Sequence, residues 1–258
     1  MPSAAGLYYF AHEEQNGSRP PVILLHGAGG THLNWPPQVR RMLGQRIYAP
    51  DLPGHGKSAG VSRQSIAAYA ADLIDFMDAL KMQSAVLVGH SMGAAIALTF
   101  AIEYPERLLG LGLLGANARL PVAPAILKNA LSASAFHATV AMVTEACYGP
   151  ATEPRLKELG ARRMAETRPS VFYGDFLACE SFDVFDKLAC IQTPTLVLAS
   201  YGDQMTPLRY ARLMQERIPG ARLQLISNAG HMLMLEQPEQ VATALSAFID
   251  SLSYGPGG

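Results

Sequence analysis

The sequence is poor in cysteine. It has three, Cys147, Cys179 and Cys190, and no two stand in C-x-x-C spacing. That argues against a disulfide framework and a structural zinc site, and buried, reduced thiols are expected. An excess of either charge is lacking too. The 20 Lys+Arg nearly balance 21 Asp+Glu, for a formal net charge of −1. With no basic surplus to release counterions, nucleic acid is not an expected partner. Long hydrophobic runs are absent. The apolar stretches are broken by Gly, Ser, His or charge well before the roughly 18 residues of a membrane span. Met1-Pro2-Ser3-Ala4-Ala5-Gly6 has no positive segment followed by an apolar one. No secretory signal is expected, and the expected location is the cytoplasm. Neither a repeat nor a low-complexity segment is found. No cofactor and no metal are expected, and nothing in the sequence speaks to oligomeric state.

What is present is apolar and patterned. Hydrophobic residues make up 49% and charged residues 16%, which excludes a disordered chain. A length of 258 residues suits one large core, with room for an inserted subdomain. Short apolar runs recur: Val22-Ile23-Leu24-Leu25, Arg46-Ile47-Tyr48-Ala49-Pro50, Ala85-Val86-Leu87-Val88, Leu108–Leu114, Thr195–Ala199, and Leu223-Gln224-Leu225-Ile226. Several lack polar alternation, as parallel strands covered on both faces do. Helical stretches are expected at 35–43, 62–80 and 92–104. In the second, Tyr69, Leu73, Phe76, Met77 and Leu80 recur at spacings of three and four, with Asp72, Asp75 and Asp78 between them. Strand-helix alternation of this kind predicts an α/β fold with a mostly parallel sheet and right-handed crossovers.

The rhythm changes between 116 and 190. No strand of that type occurs there, and helices are expected at 125–131, 135–147 and 153–166, punctuated by Pro121, Pro124, Pro150, Pro154 and Pro169. The stretch reads as a helical insertion. The tail Gly255-Pro256-Gly257-Gly258 is expected to be frayed.

Gly89-His90-Ser91-Met92-Gly93 fits G-x-S-x-G, between a buried strand and an Ala-rich helix. That context is what the motif requires: small flanking residues let strand and helix approach, and the turn exposes the serine above the sheet. A serine hydroxyl is a weak nucleophile and needs a base. Of seven histidines, His231 follows the last expected strand and so lies at the edge of the sheet where Ser91 also sits. His12, His32 and His137 lack such placement. The base needs an acid to fix its tautomer. Asp203 directly follows the strand at 195–199, in Gly202-Asp203-Gln204-Met205-Thr206-Pro207. Asp183 and Asp186 are its rivals, though they precede that strand. After the first buried strand, His26-Gly27-Ala28-Gly29-Gly30 is small enough for a backbone N–H to face a reacting carbonyl. The N–H groups of Ala28 and Met92 are the expected oxyanion hole. His26 reads as a structural histidine. Asp51-Leu52-Pro53-Gly54-His55-Gly56-Lys57-Ser58 ends like a phosphate loop, but that pattern needs glycine where Asp51 stands. A shaped turn is expected instead.

Taken in order, HGAGG, DLPGHGKS, GHSMGA, GDQMTP and NAGHMLMLEQP resemble the α/β-hydrolase superfamily over nearly the whole chain. The resemblance implies an α/β-hydrolase fold, Ser91 as nucleophile, His231 as base and Asp203 as acid. It also implies a core of 1–115 and 191–258 with a helical cap at 116–190. The family usually opens with a hairpin; here only residues 7–14 precede the first parallel strand, so the first edge strand is expected to be truncated or missing.

Dehalogenases and epoxide hydrolases of the superfamily use an aspartate nucleophile, where this chain has Ser91. Its C–C bond hydrolases usually place Asn before the serine and Trp after the catalytic histidine; here these are His90 and Met232. The expectation is a carboxylesterase-like serine hydrolase. Alternatives are C–C, lactone, thioester or perhydrolase chemistry on the same triad, or a hydrolase-like ligand-binding protein. Phe136, Met142, Phe172, Phe176 and Met232 are the expected substrate pocket, although the insertion's aromatic residues serve equally well as its own core. The near-zero net charge gives no cause for long-range steering and suits a neutral, apolar ester or acyl substrate.

Overall fold

The computed structural model describes residues 2–13 and 19–252. The 255–258 tail and the end of the 7–14 segment lie outside them. The chain opens with a hairpin, β1 (Ser3–Ala4) and β2 (Leu7–His12), and continues through β3 (Pro21–Leu25), α1 (Pro37–Arg40), β4 (Arg46–Pro50), α2 (Ile66–Ala79), β5 (Ala85–His90), α3 (Met92–Glu103) and β6 (Leu108–Leu114). Four helices follow: α4 (Pro124–Ala130), α5 (Phe136–Cys147), α6 (Pro154–Ala165) and α7 (Pro169–Glu180). Then come β7 (Thr195–Ala199), α8 (Leu208–Arg217), β8 (Arg222–Leu225), α9 (Leu233–Glu236) and α10 (Pro238–Asp250).

The strands form one eight-stranded sheet in the order β1-β2-β4-β3-β5-β6-β7-β8. β1 with β2 and β2 with β4 pair antiparallel, and the other pairings are parallel. This is the α/β-hydrolase fold. The reason is written in the strands: every residue of β3, β5 and β7 is buried. Successive side chains point to opposite faces. Ile23 and Leu25 therefore join the core formed with α2 and α3. Val22 and Leu24 join the core formed with α1 and α10. Helix α2 starts where the Ser65 side chain accepts from Ala68 N at 3.3 Å. Its buried face is Ile66, Tyr69, Ala70, Leu73, Phe76 and Met77; of the stripe read from the sequence, Leu80 alone falls outside it, half-buried just past the helix end.

Of the truncated or missing edge strand, the first alternative holds: β1 is only two residues long, and it completes the eight. Three expectations are corrected. The helix expected at 35–43 is only Pro37–Arg40, preceded by a 3₁₀ turn at His32–Asn34. Proline cannot donate to a preceding turn, so the helix starts no earlier than Pro37. Helix α7 was not expected. It buries Val171, Phe172, Gly174, Asp175, Phe176, Ala178 and Cys179, which leaves no polar face and hence no stripe to read. Cys147 and Cys179 are buried, but Cys190 is exposed. Among the described residues no helix is long and apolar enough to cross a membrane.

Candidate active site

Ser91 occupies the turn between β5 and α3 with φ 53° and ψ −117°, a left-handed conformation that a side chain rarely adopts. The turn is held by Ser91 N donating to Leu114 O at 3.0 Å. It is possible only because its flanks carry no side chains. A Cβ on Gly89 would overlap the Gly93 carbonyl, and a Cβ on Gly93 would overlap the carbonyl oxygen of Leu25. Backbone cannot yield as a flexible side chain does. Gly93→Ala is therefore expected to cost about 1–3 kcal/mol as an overpacked site, read as a lowered midpoint of urea unfolding.

His231 lies in the loop between β8 and α9, and is 2% exposed. Its Nδ1 is 2.9 Å from Asp203 Oδ2. With Nδ1–H donating there, a neutral imidazole carries its lone pair on Nε2. Asp203 follows β7 and is 4% exposed. Its Oδ1 accepts from Met205 N at 2.9 Å and Thr206 N at 2.7 Å, and its Oδ2 from Thr206 Oγ1 at 2.7 Å. Burial pushes this carboxyl up, but the His231 ring and the Thr206 donors outweigh it and hold the pKa below the ordinary value. The rivals stand elsewhere. Asp183 is exposed and bonded to Arg119 at 2.7 Å, and Asp186 is exposed.

The histidine loop is braced from several sides. His231 N and Met232 N donate to Cys147 O, at the end of α5, at 2.8 and 3.1 Å. Glu236 accepts from Gly149 N and Gly230 N at 2.8 Å each, and from Thr152 Oγ1. His90 Nε2 donates to His231 O at 3.0 Å. Burial, then the neighbouring His231, press the His90 pKa down to about 3, so this ring is neutral. Gly115, at φ 52°, backs the His231 ring: a Cβ there would lie 2.9 Å from Nδ1.

Ala28 and Ser91 line one cavity of about 320 Å³ together with His231, Met232 and Phe176. Met92 opens α3, where a helix leaves its first amides without a partner in a preceding turn. His26 is buried, with Nδ1 facing Gly27 O at 2.8 Å and Nε2 accepting from Leu52 N at 3.0 Å. Burial and the neighbouring His55 lower its pKa to about 4, in keeping with a neutral structural ring. Asp51 accepts from His32 N at 2.7 Å and Lys57 N at 3.0 Å, which shapes the 51–58 turn around a carboxylate.

Of the expected pocket residues, Phe176 and Met232 line the cavity. Phe136 and Phe172 do not: they are buried and stack edge to face with centroids 5.5 Å apart. Met142 is 47% exposed, because it falls outside the buried stripe of α5 formed by Phe136, Thr139, Val140, Val143, Thr144 and Cys147. Lining residues missed in the sequence include Ile126, Val143, Met205 and Tyr210. Asp175 was also missed. It is fully buried on α7 and accepts from Gly29 N at 2.8 Å, from His55 Nε2 at 2.7 Å and from Tyr69 OH at 2.6 Å. Nothing local in the sequence marks it, since all three partners lie more than 100 positions away.

Comparison with known proteins bears on the family and the fold. Residues 22–244 match the alpha/beta hydrolase family. A putative carbamate hydrolase RutD from Caulobacter sp. (strain K31) is 29% identical over 95% of this chain and 96% of its own. The 2-hydroxy-6-oxo-6-phenylhexa-2,4-dienoate hydrolase of Comamonas testosteroni is 32% identical over 90% of this chain and 88% of its own. Among solved structures, a thermophilic esterase from Thermogutta terrifontis superposes with a TM-score of 0.84 at 27% identity, covering 95% of this chain and 93% of that one.

Proposed function

The chain belongs to the alpha/beta hydrolase family, and we propose that it is a serine hydrolase that cleaves carboxylic esters through an acyl-enzyme. The observation that carries this reading is the placement of Ser91 on its strained turn in the wall of the same cavity as His231, whose Nδ1 is tied to the buried Asp203. Ser91 Oγ attacks the ester carbonyl while His231 Nε2 takes its proton. Negative charge develops on the carbonyl oxygen and is met by the N–H groups of Ala28 and Met92. His231 then hands the proton to the leaving alcohol. In the second half, His231 deprotonates water, which attacks the acyl carbonyl and returns Ser91 as a free hydroxyl with a carboxylic acid as product. Asp203 holds the imidazole in the required tautomer and stabilises its charged form.

Residues 116–190 act in this reading as a cap. They supply Phe176 and Val143 to the cavity wall, and through Cys147 O they hold the His231 loop. The test is turnover of p-nitrophenyl acetate and butyrate, with fluorophosphonate labelling mapped to the peptide that carries Ser91. Absence of both would overturn the reading.

The dienoate hydrolase relative favours a second reading, C–C bond cleavage on the same three residues. His90 and Met232 depart from the Asn and Trp usual there. Turnover of a ring-fission dienoate faster than that of any simple ester would select this alternative. In either reaction the base must be unprotonated to take the proton of Ser91.

A further inference from the structure

A second cavity, of about 290 Å³, adjoins the first. The two share Asn34, Cys147, Met164 and Met232 as walls. Much of the second chamber is apolar, with Leu33, Leu156, Leu159 and Leu235 among its lining. Two arginines interrupt that lining: Arg40 from α1 and Arg163 from α6.

Both side chains are half-buried, and among the described residues neither forms an ion pair with a carboxylate. Arg40 Nε is buried and has no hydrogen-bond partner among them. Its guanidinium lies over the Phe10 ring, 4.7 Å from the centroid. The charges that act on it most are themselves cationic. Burial comes first, then Arg41 and Arg163, and together they hold the Arg40 pKa below the usual arginine value. Two like charges on the wall of an apolar chamber, one with a buried unmet donor, are unfavourable until an anion arrives. A carboxylate is the group that matches: it is planar, accepts two parallel N–H bonds from a guanidinium, and carries one charge.

We propose that this chamber receives a carboxylate of the substrate, remote from the bond that Ser91 attacks. The natural substrate is then an ester or related acyl compound that bears a free carboxylate. The identity of the attacked bond rests on the reading of Ser91 above; the anion site does not. The arginines lie on separate elements, so each tests the site independently. A net charge of −1 for the whole chain does not reveal such a local pair.

The experiment compares 4-nitrophenyl hydrogen glutarate with its methyl ester, 4-nitrophenyl methyl glutarate. The acyl chains match and only the distal charge differs. The wild-type protein is expected to prefer the acid by about 10-fold or more in kcat/KM, chiefly through KM, the scale of one charge-assisted contact. That ratio is expected to collapse in Arg40→Gln and in Arg163→Gln, and to be partly kept in Arg40→Lys and Arg163→Lys. A wild-type preference for the methyl ester, or a ratio unchanged by both Gln variants, overturns the proposal. If neither compound is turned over, the hydrolytic reading fails by itself. Calorimetric binding of monomethyl glutarate against dimethyl glutarate to the wild-type protein then decides the site: tighter binding of the acid supports it, and equal binding refutes it.

Discussion

Ser91→Ala is expected to lower kcat for p-nitrophenyl esters by about 10⁵- to 10⁶-fold, the scale on which removal of a serine nucleophile acts in enzymes of this chemistry. In the proposed reaction the nucleophile, base and acid work as a unit, so losing one forfeits most of what all three supply. The residual rate comes from binding and from the Ala28 and Met92 amides, which the substitution leaves in place. Stability should change by less than about 0.5 kcal/mol, because none of the mechanisms behind large losses is engaged. The left-handed backbone conformation costs alanine much what it costs serine. Steady-state kinetics beside a urea unfolding curve separate the two effects. Turnover at the wild-type rate would mean that the reaction has another nucleophile.

Asp175→Ala is expected to cost about 3–5 kcal/mol of stability, the range for removing one partner from a buried ion pair. Three donors converge on this carboxylate from three parts of the chain: the glycine loop, the 51–58 turn and α2. His55 shows what is at stake. Its Nδ1 faces Pro53 O at 3.1 Å while its Nε2 faces Asp175, two acceptors that favour a proton on each ring nitrogen. Burial works against that charge, yet the Asp175 carboxylate outweighs it and raises the His55 pKa above the ordinary value. A raised native pKa has a definite sign. The pair's contribution is fully present below the unfolded histidine value of about 6.5 and is lost as pH rises through the higher native value. The penalty of Asp175→Ala should therefore be larger at pH 6 than at pH 9. Asp175→Asn, which keeps an acceptor, should lose less. Urea midpoints at the two pH values measure both differences. A loss under about 1 kcal/mol at pH 6 would place the site among ordinary surface substitutions and refute the account. Gly29 directly follows Ala28, so the loop that carries a proposed oxyanion donor loosens in the same variant. Its kcat per folded molecule is expected to fall as well.

These two residues mark the limits of reading the chain alone. The turn that carries Ser91 was legible because its signal is local: a buried strand, a turn of small residues, an Ala-rich helix. The placement of Asp203 and His231 was legible because each follows a strand of a parallel sheet, and strand ends converge on one edge. The resemblance then put the motifs in register. Helix α7 escaped because a helix buried on most sides shows no periodic stripe. With α7 unseen, Asp175 had no context.

The pocket shows the same division. Phe136, Met142, Phe172 and Phe176 are all large apolar side chains of the 116–190 stretch, yet only Phe176 of the four reaches the cavity. Which aromatic side chain lines a space and which fills a core depends on the rotation of each helix against its neighbours. That rotation is set by contacts between residues far apart in the chain.

By itself, then, the sequence determined the α/β class, the strands along the chain, and the positions of Ser91, Asp203 and His231 just beyond strand ends, because these follow from periodicity and from local spacing. Only the tertiary structure decided which side chains wall the cavity, which buried carboxylate meets His55, and that Arg40 and Arg163 share a chamber. Those meetings depend on the packing of whole elements, and a near-neutral charge along the chain says nothing of where two arginines come to line one space.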